Sequence, residues 1–333
     1  MVIASGARIH WIDLPDAVRA AVEGILGSPV IEARSQPGGF SPGTADRVLT
    51  ADGKRAFVKA VSSEQNDRSP QMHRREAEVA AAMPRSAPVP ALLGSYDDGH
   101  WVALVFEDVN GRHPRTPWQS GELRQVLEAL EKLAASTTPV PFDGLQPLAD
   151  AVAEDFGGWA RLRADPPADL NPWAAVRLDD LVAGAERGLT ALAGDTLVHL
   201  DVRADNLLLT SDDTFPDGGT TPGVDHDVSS SRNSVAVVDW PHAARGPAWF
   251  DRVLLLINVR LYGGHDTTAL LTELAARTRA DPEDLVAVLV GWAGFFADTA
   301  RLPALSGLPT LRAFQHAQAE AVLSWLAEVD LPG

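Results

Sequence analysis

The segment His199-Leu-Asp201-Val-Arg203-Ala-Asp205-Asn206 gathers a His, two Asp and an Asn within eight residues. Further along lies Val-Ala-Val-Val-Asp239-Trp240-Pro241. The order His-x-Asp-x4-Asn, followed by an Asp on an apolar segment, is a set that can carry phosphoryl transfer. One carboxylate, Asp201, can orient a hydroxyl nucleophile and take its proton. Asn206 and Asp239 offer oxygens to a Mg²⁺ held against nucleotide phosphates. Asp and Asn also cap helices and open turns. Capping does not explain why this polar set lies between Thr-Leu-Val (196–198) and Leu-Leu-Leu (207–209). A polar loop held between two buried strands is where catalytic groups are commonly placed.

Such a site needs a cation for the phosphates and a carboxylate to orient it. Arg55-Ala-Phe57-Val58-Lys59-Ala-Val61 reads as a strand with apolar residues on both faces. The chain has three Lys against 25 Arg, so a Lys inside an apolar strand points to a compact ammonium with a specific task. Residues 71–83 read as a helix with an apolar stripe of Met72, Val79, Ala80 and Met83. Glu76 falls on that stripe and Glu78 on the opposite face with Arg74 and Arg75. A carboxylate on the buried side needs an internal cation, and Lys59 is the expected partner. Ahead of the strand, Gly38-Gly39-Phe40-Ser41-Pro42-Gly43 can bring backbone N–H groups close to phosphates, although a hairpin turn would use the same residues.

On these motifs the chain resembles the aminoglycoside phosphotransferase family of the protein-kinase-like superfamily, over roughly residues 30–260. The resemblance implies a bilobal α+β fold with a small β-rich N-terminal lobe and a larger, mostly helical C-terminal lobe. It implies that Lys59 binds phosphate with Glu76 as its helix partner and that the loop containing Gly38, Gly39 and Gly43 covers the nucleotide. By the same resemblance Asp201 is the catalytic Asp, and Asn206 and Asp239 are metal ligands. Arg203 stands where many kinases carry a Lys near the transferred phosphate. Within Trp101-Val-Ala-Leu-Val-Phe106-Glu107-Asp108-Val109-Asn-Gly111, backbone groups of Glu107 and Val109 would bind the base. The implied cofactors are ATP and Mg²⁺, with GTP left open because backbone contacts do not select the base.

Asp239 is followed by Trp-Pro, and within about ten residues the chain enters the helical stretch Phe250-Asp-Arg-Val-Leu-Leu-Leu. There is no room for the activation segment of a protein kinase, so no protein substrate is expected. The expected reaction is ATP-dependent transfer to a hydroxyl of a small molecule, an aminoglycoside or other antibiotic. The alternative acceptors are metabolic: an amino sugar, choline or homoserine. An inert nucleotide-binding regulator is disfavoured by the intact set Lys59, Asp201, Asn206 and Asp239. Ser211–Ser234, rich in Asp, Gly, Thr and Ser, reads as a mobile, solvated extension of a hairpin.

The elements that must position these groups follow from pattern. A helix is expected over 13–26, capped by Asp13 or Asp16, then strands over 30–61 and 91–108 with an Asp97-Asp98-Gly99 turn. Helices are expected over 121–135, 149–163, 173–193, 247–261, 266–278, 282–300 and 309–328, with a Pro-rich linker at 137–148. Residues 1–110 form the expected nucleotide lobe with a hinge at about 106–111, and residues 111–333 the acceptor lobe.

At 333 residues with net charge −17, the chain can bury a large core and should repel nucleic acid and anionic membranes. Residues 1–110 carry 11 Lys/Arg against 14 Asp/Glu, and residues 111–333 carry 17 against 31. An acidic acceptor lobe favours a cationic acceptor. No apolar run is long enough to span a membrane, and the N-terminus lacks the pattern of a secretory signal. The absence of Cys excludes disulfides and thiolate metal sites and fits a cytoplasmic protein.

Overall fold

The computed structural model describes residues 8–36, 42–210, 234–305 and 308–329. Gly38, Gly39 and almost all of the 211–234 insert lie outside them. The fold is α+β. A five-stranded antiparallel sheet is built from β1 (Val30–Ser35), β2 (Thr44–Thr50), β3 (Arg55–Ser62), β4 (Leu92–Asp97) and β5 (Trp101–Glu107), in the order β1-β2-β3-β5-β4. Helix α1 (Asp16–Leu26) covers one face and α2 (Ser69–Ala82) the other.

Strand periodicity sorts the side chains of β3. Ala56, Val58 and Ala60 pack with Val18 and Val22 of α1. Phe57 packs on the α2 side with Phe106 and Ala80. Lys59, two residues on from Phe57, shares that face. Its antiparallel register sets it opposite Leu104 of β5 and Ala45 of β2.

The remainder is mostly helical. The short strand β6 (Gly111–Arg112) follows β5, and α3 (Ser120–Ser136) follows it. Four short helices come next: α4 (Leu148–Ala151), α5 (Ala153–Phe156), α6 (Gly158–Ala164) and α7 (Pro172–Ala175). Helix α8 (Leu178–Ala191) leads into β7 (Thr196–Val198), β8 (Leu207–Thr210), β9 (Ser234–Val237) and β10 (Ala244–Gly246). The chain closes with α9 (Phe250–Tyr262), α10 (Thr267–Thr278), α11 (Pro282–Ala300) and α12 (Leu311–Glu328). Strand β8 lies between β6 and β9, and β7 pairs with β10, all antiparallel.

Three expectations are corrected. The stretch 149–163 is three short helices rather than one. Gly157 and Gly158 offer little resistance to breaking the helix there, and a Cβ on Gly158 would meet the Gly294 carbonyl oxygen at 2.3 Å, so this backbone crosses α11 at a distance only glycine allows. Residues 173–193 divide into α7 and α8. At the N-terminus a 3₁₀ turn, Trp11–Asp13, precedes α1, and neither Asp caps that helix. Asp13 instead accepts the His10 backbone N–H at 2.9 Å, and Asp16 pairs with Arg19.

Candidate active site

Two backbone segments bring the catalytic-type residues together. The loop between β7 and β8 carries His199 to Asn206, and the residues just after β9 carry Asp239. His199 is fully buried and joins the two. Its Nε2–H donates to the Val238 carbonyl at 2.9 Å, and its Nδ1 accepts the Asp201 backbone N–H at 3.1 Å. That pair of bonds requires the neutral Nε2–H tautomer. Burial lowers the His199 pKa and favours the same form. The Val238 N–H donates back to the Asn206 carbonyl at 3.0 Å. Asp251, in the first turn of α9, accepts the backbone N–H groups of His199 and Leu200 at 2.8 and 3.1 Å. Leu200 has φ of +70°, a strained conformation for a residue with a side chain.

Asp201 is held by Asn206 and Arg203. Asn206 Nδ2 donates to its carbonyl at 2.8 Å and to Oδ2 at 3.0 Å. The Arg203 guanidinium stands 3.3 Å from Oδ1. Arg203 also binds both oxygens of Asp205 at 3.1 Å, so Asp205 serves to fix this arginine. Burial raises the Asp201 pKa to about 6, with Arg203 opposing and Asp205 adding to the rise. An Asp tuned this way is ionised near neutrality and closer to an alcohol's proton affinity than a free carboxylate.

Asp239 lies two residues beyond the end of β9, not on the strand itself, and has φ of +74°. One of its oxygens is 2.5 Å from Lys59 Nζ. Lys59 also donates to both oxygens of Glu76 at 2.8 Å. Glu76 is 2% exposed, as its place on the buried stripe of α2 requires. It also receives the Trp240 backbone N–H at 3.4 Å. Burial disfavours the Lys59 charge, but Asp239 and Glu76 outweigh it and raise the pKa. Burial likewise opposes the Asp239 charge, and Lys59 more than compensates, holding that carboxyl below its ordinary range.

The donor set available to a cation is oxygen-rich and incomplete by itself. No group of three or more His, Cys, Asp or Glu with metal-binding geometry occurs among the described residues. Asp239 and Asn206 supply a carboxylate and an amide oxygen beside one cleft. This fits Mg²⁺, which typically takes one or two protein ligands and completes its shell with phosphate oxygens and water.

The remaining sequence-derived candidates among the described residues lie near β2 and at the end of β5. Gly43 has φ of +98°, and a Cβ there would meet the Ala60 carbonyl oxygen at 2.3 Å, so only glycine fits. At the end of β5, the Glu107 N–H donates to Ala91 O at 2.9 Å and is therefore not available to a base. The Val109 carbonyl accepts the Gly111 N–H at 3.0 Å. Between them, Asp108 receives two bonds from Arg47, at 2.6 and 2.7 Å, which ties the hinge to β2.

Several cleft residues carry no readable sequence signal. Arg8 lies beside Gly43, where Ile9 N–H donates to Gly43 O at 3.2 Å. Burial lowers its pKa, while Asp239 and Asp46 act to raise it. His73 sits one turn before Glu76 on the buried face, with its Nδ1–H on Ser69 O at 3.0 Å. Burial first, then Lys59, pull its pKa down to about 4. Arg8, His73, Lys59, Glu76, Asp201, Asn206 and Asp239 line one cleft of about 1360 Å³, which continues past Asp201 to side chains of α5, α11 and α12.

Residues 36–216 match the model of the phosphotransferase enzyme family. No curated protein matches the chain. Among solved structures, a thermostable mutant of aminoglycoside phosphotransferase APH(4)-Ia, in a ternary complex with AMP-PNP and hygromycin B, is 14% identical with a TM-score of 0.58. That match covers 93% of this chain and 98% of the other. A choline/ethanolamine kinase family protein from Mesorhizobium loti is 15% identical with a TM-score of 0.55, covering 93% and 94%. An aminoglycoside phosphotransferase from Alicyclobacillus acidocaldarius is 18% identical with a TM-score of 0.51, covering 95% of each chain. Among the described residues no helix is long and apolar enough to cross a membrane.

Proposed function

The chain belongs to the phosphotransferase enzyme family, and from that premise we propose that it moves the γ-phosphate of ATP to a hydroxyl of a small molecule. The observation that carries this reading is the convergence of Asp201, Asn206, Asp239 and the Lys59–Glu76 pair on one cleft. Solved proteins of the same fold support it with bound AMP-PNP and hygromycin B in one case, and AMP-PNP, Ca²⁺ and amicoumacin in another.

In this reading the acceptor oxygen attacks the γ-phosphorus, the bond to the β-phosphate oxygen breaks, and ADP leaves. Asp201 aligns the hydroxyl and takes its proton. Its orientation comes from Asn206 and from Asp251 acting through the loop backbone. Lys59, held by Glu76, binds phosphate oxygens, and Arg203 stabilises charge on the group in transit. Asn206 and Asp239 would hold Mg²⁺, which when bound neutralises phosphate charge. The Glu107 carbonyl and the Val109 N–H are the backbone groups left to read the base.

The test is ADP release from ATP and Mg²⁺ across a panel of antibiotic and metabolic alcohols, with the phosphoester identified by ³¹P NMR. Acceptor-dependent ADP release that disappears in Asp201→Asn is expected. A folded protein that binds no nucleotide overturns the proposal.

A further inference from the structure

Beside Asp201 the cleft wall becomes aromatic. The Arg203 guanidinium stands 5.9 Å from the Phe314 ring of α12 and 3.3 Å from Asp201. Trp292, Phe295 and Phe296 of α11 line the same cleft. Their rings pack on one another with centroids 5.3 to 5.8 Å apart. A rigid group of rings of this kind presents flat apolar surface to a ligand.

Two polar side chains stand in this wall with no hydrogen bond or ion pair among the described residues. Gln318 of α12 is 7% exposed. Asp155 of α5 is partly buried, and burial followed by Glu154 raises its carboxyl pKa to about 6. In the same wall the Trp292 Nε1–H is buried without a partner, and Gln318 and Asp155 line the cleft, so a ligand can meet all three. Asp155 lines the same cleft as Asp201 and Asp239, so the unpaired carboxylate shares the space of the catalytic set.

The charge balance limits what fits. Six Lys/Arg and seven Asp/Glu line the cleft, although the sequence as a whole carries −17. Asp108, Asp205, Glu76 and Asp239 are already paired with basic side chains. Among the described lining residues from 111–333, three Arg stand against four Asp, so a molecule with several ammonium groups would leave most of them unpaired there.

We propose that the acceptor is a hydroxylated monoamine with a mainly apolar body. Its flat surface lies on Phe295, Phe296, Trp292 and Phe314, its ammonium on Asp155, and a polar group on Gln318. This places the hydroxyl at Asp201. The proposal rests on the small-molecule phosphotransferase reading and narrows its substrate class away from polycationic amino sugars.

The experiment is isothermal titration of the full chain saturated with AMP-PNP and Mg²⁺. The probes are 2-amino-1-phenylpropan-1-ol, its neutral counterpart 1-phenylpropan-1-ol, and kanamycin as the polycation. The monoamine should bind about ten-fold tighter than the neutral alcohol, the difference a charge-assisted hydrogen bond supplies, and tighter than kanamycin. Asp155→Asn should erase that advantage while leaving the neutral alcohol within about two-fold, a change smaller than one lost hydrogen bond. Phe295→Ala should weaken both. Tighter binding of kanamycin, an unchanged monoamine affinity in Asp155→Asn, or no binding of any probe to the AMP-PNP complex overturns the inference and leaves the phosphotransferase reading intact. Failure of AMP-PNP itself to bind removes both.

Discussion

Asp251 holds the loop that carries Asp201 by its backbone: its two carboxylate oxygens accept the N–H groups of His199 and Leu200 at 2.8 and 3.1 Å. These bonds span 52 and 51 residues and keep Leu200 at φ of +70°. Asp201 follows directly, so its position depends on a residue that touches no substrate. Asp251→Asn replaces one acceptor with an NH₂ facing an N–H, which should cost about 1–3 kcal/mol of stability. Loosening Asp201 by about an ångström should cut kcat roughly 100-fold. AMP-PNP affinity should stay within a few-fold, since Lys59 lies on another element. Urea unfolding, turnover and nucleotide titration of the variant check all three, and wild-type kcat in a destabilised variant would sever the loop's position from catalysis.

Lys59 touches two carboxylates, and the network cannot be cut neutrally. Lys59→Ala leaves Glu76, with a side chain 3% exposed, without its cation. Breaking a buried pair this way costs about 3–5 kcal/mol. Adding Glu76→Gln to Lys59→Ala should return part of the loss, because the uncompensated charge is removed. The two effects should therefore fail to add by about 0.5–3 kcal/mol. Denaturation midpoints for the four proteins give the coupling directly, and strict additivity would mean the 2.8 Å contacts do not persist in solution.

Asp239 and Asn206 differ in what they bring to a cation. Asp239 offers a full negative charge and Asn206 an amide oxygen, and hard divalent ions prefer the former. Asp239→Ala should shift the Mg²⁺ dependence of activity to higher concentration more than Asn206→Ala does. Asn206→Ala should in addition lower kcat at saturating Mg²⁺, because Asn206 donates twice to Asp201. Mg²⁺ titrations at fixed ATP separate the two effects. Superimposable curves for wild type and both variants would exclude these residues as ligands.

How much of this was legible depended on how local each signal was. Asp201 and Asn206 sit five residues apart between two apolar strands, so their juxtaposition is written into one segment. Lys59 and Glu76 could be paired because a period of two and a period of 3.6 each choose a face. Arg8 and His73 could not, since one reaches the cleft through a contact with Gly43 and the other's burial depends on how α2 seats on the sheet. The aromatic wall was hidden for a different reason. Helix α11 buries 11 of its 19 residues on several sides, so periodicity does not say which rings face a cleft. Asp239 closes an apolar segment but falls past the end of β9 in a left-handed conformation, which pattern does not encode. The break of 149–163 into α4, α5 and α6 likewise follows from a crossing with α11 that no short window contains.

The pH dependence should report Asp201. Burial, partly offset by Arg203 and reinforced by Asp205, raises its pKa to about 6 from an ordinary value of 3.8. Only the ionised form can accept the acceptor's proton, so kcat/KM should be full above that value and fall about ten-fold per pH unit below it. The stability effect has the opposite sign. A carboxyl with a folded pKa above its unfolded one binds protons more readily when folded. Its charge therefore costs stability above pH 6, and that cost is relieved as pH falls from about 6 toward 3.8. Asp201→Asn should accordingly unfold at a higher denaturant concentration than wild type at pH 8, with the gap closing toward pH 4, while losing roughly 10²–10⁴ in turnover. The check is a pH–rate profile of the wild type beside unfolding curves of both proteins at pH 8, 6 and 4. An activity plateau extending unbroken to pH 4.5 would show that Asp201 is not the proton acceptor.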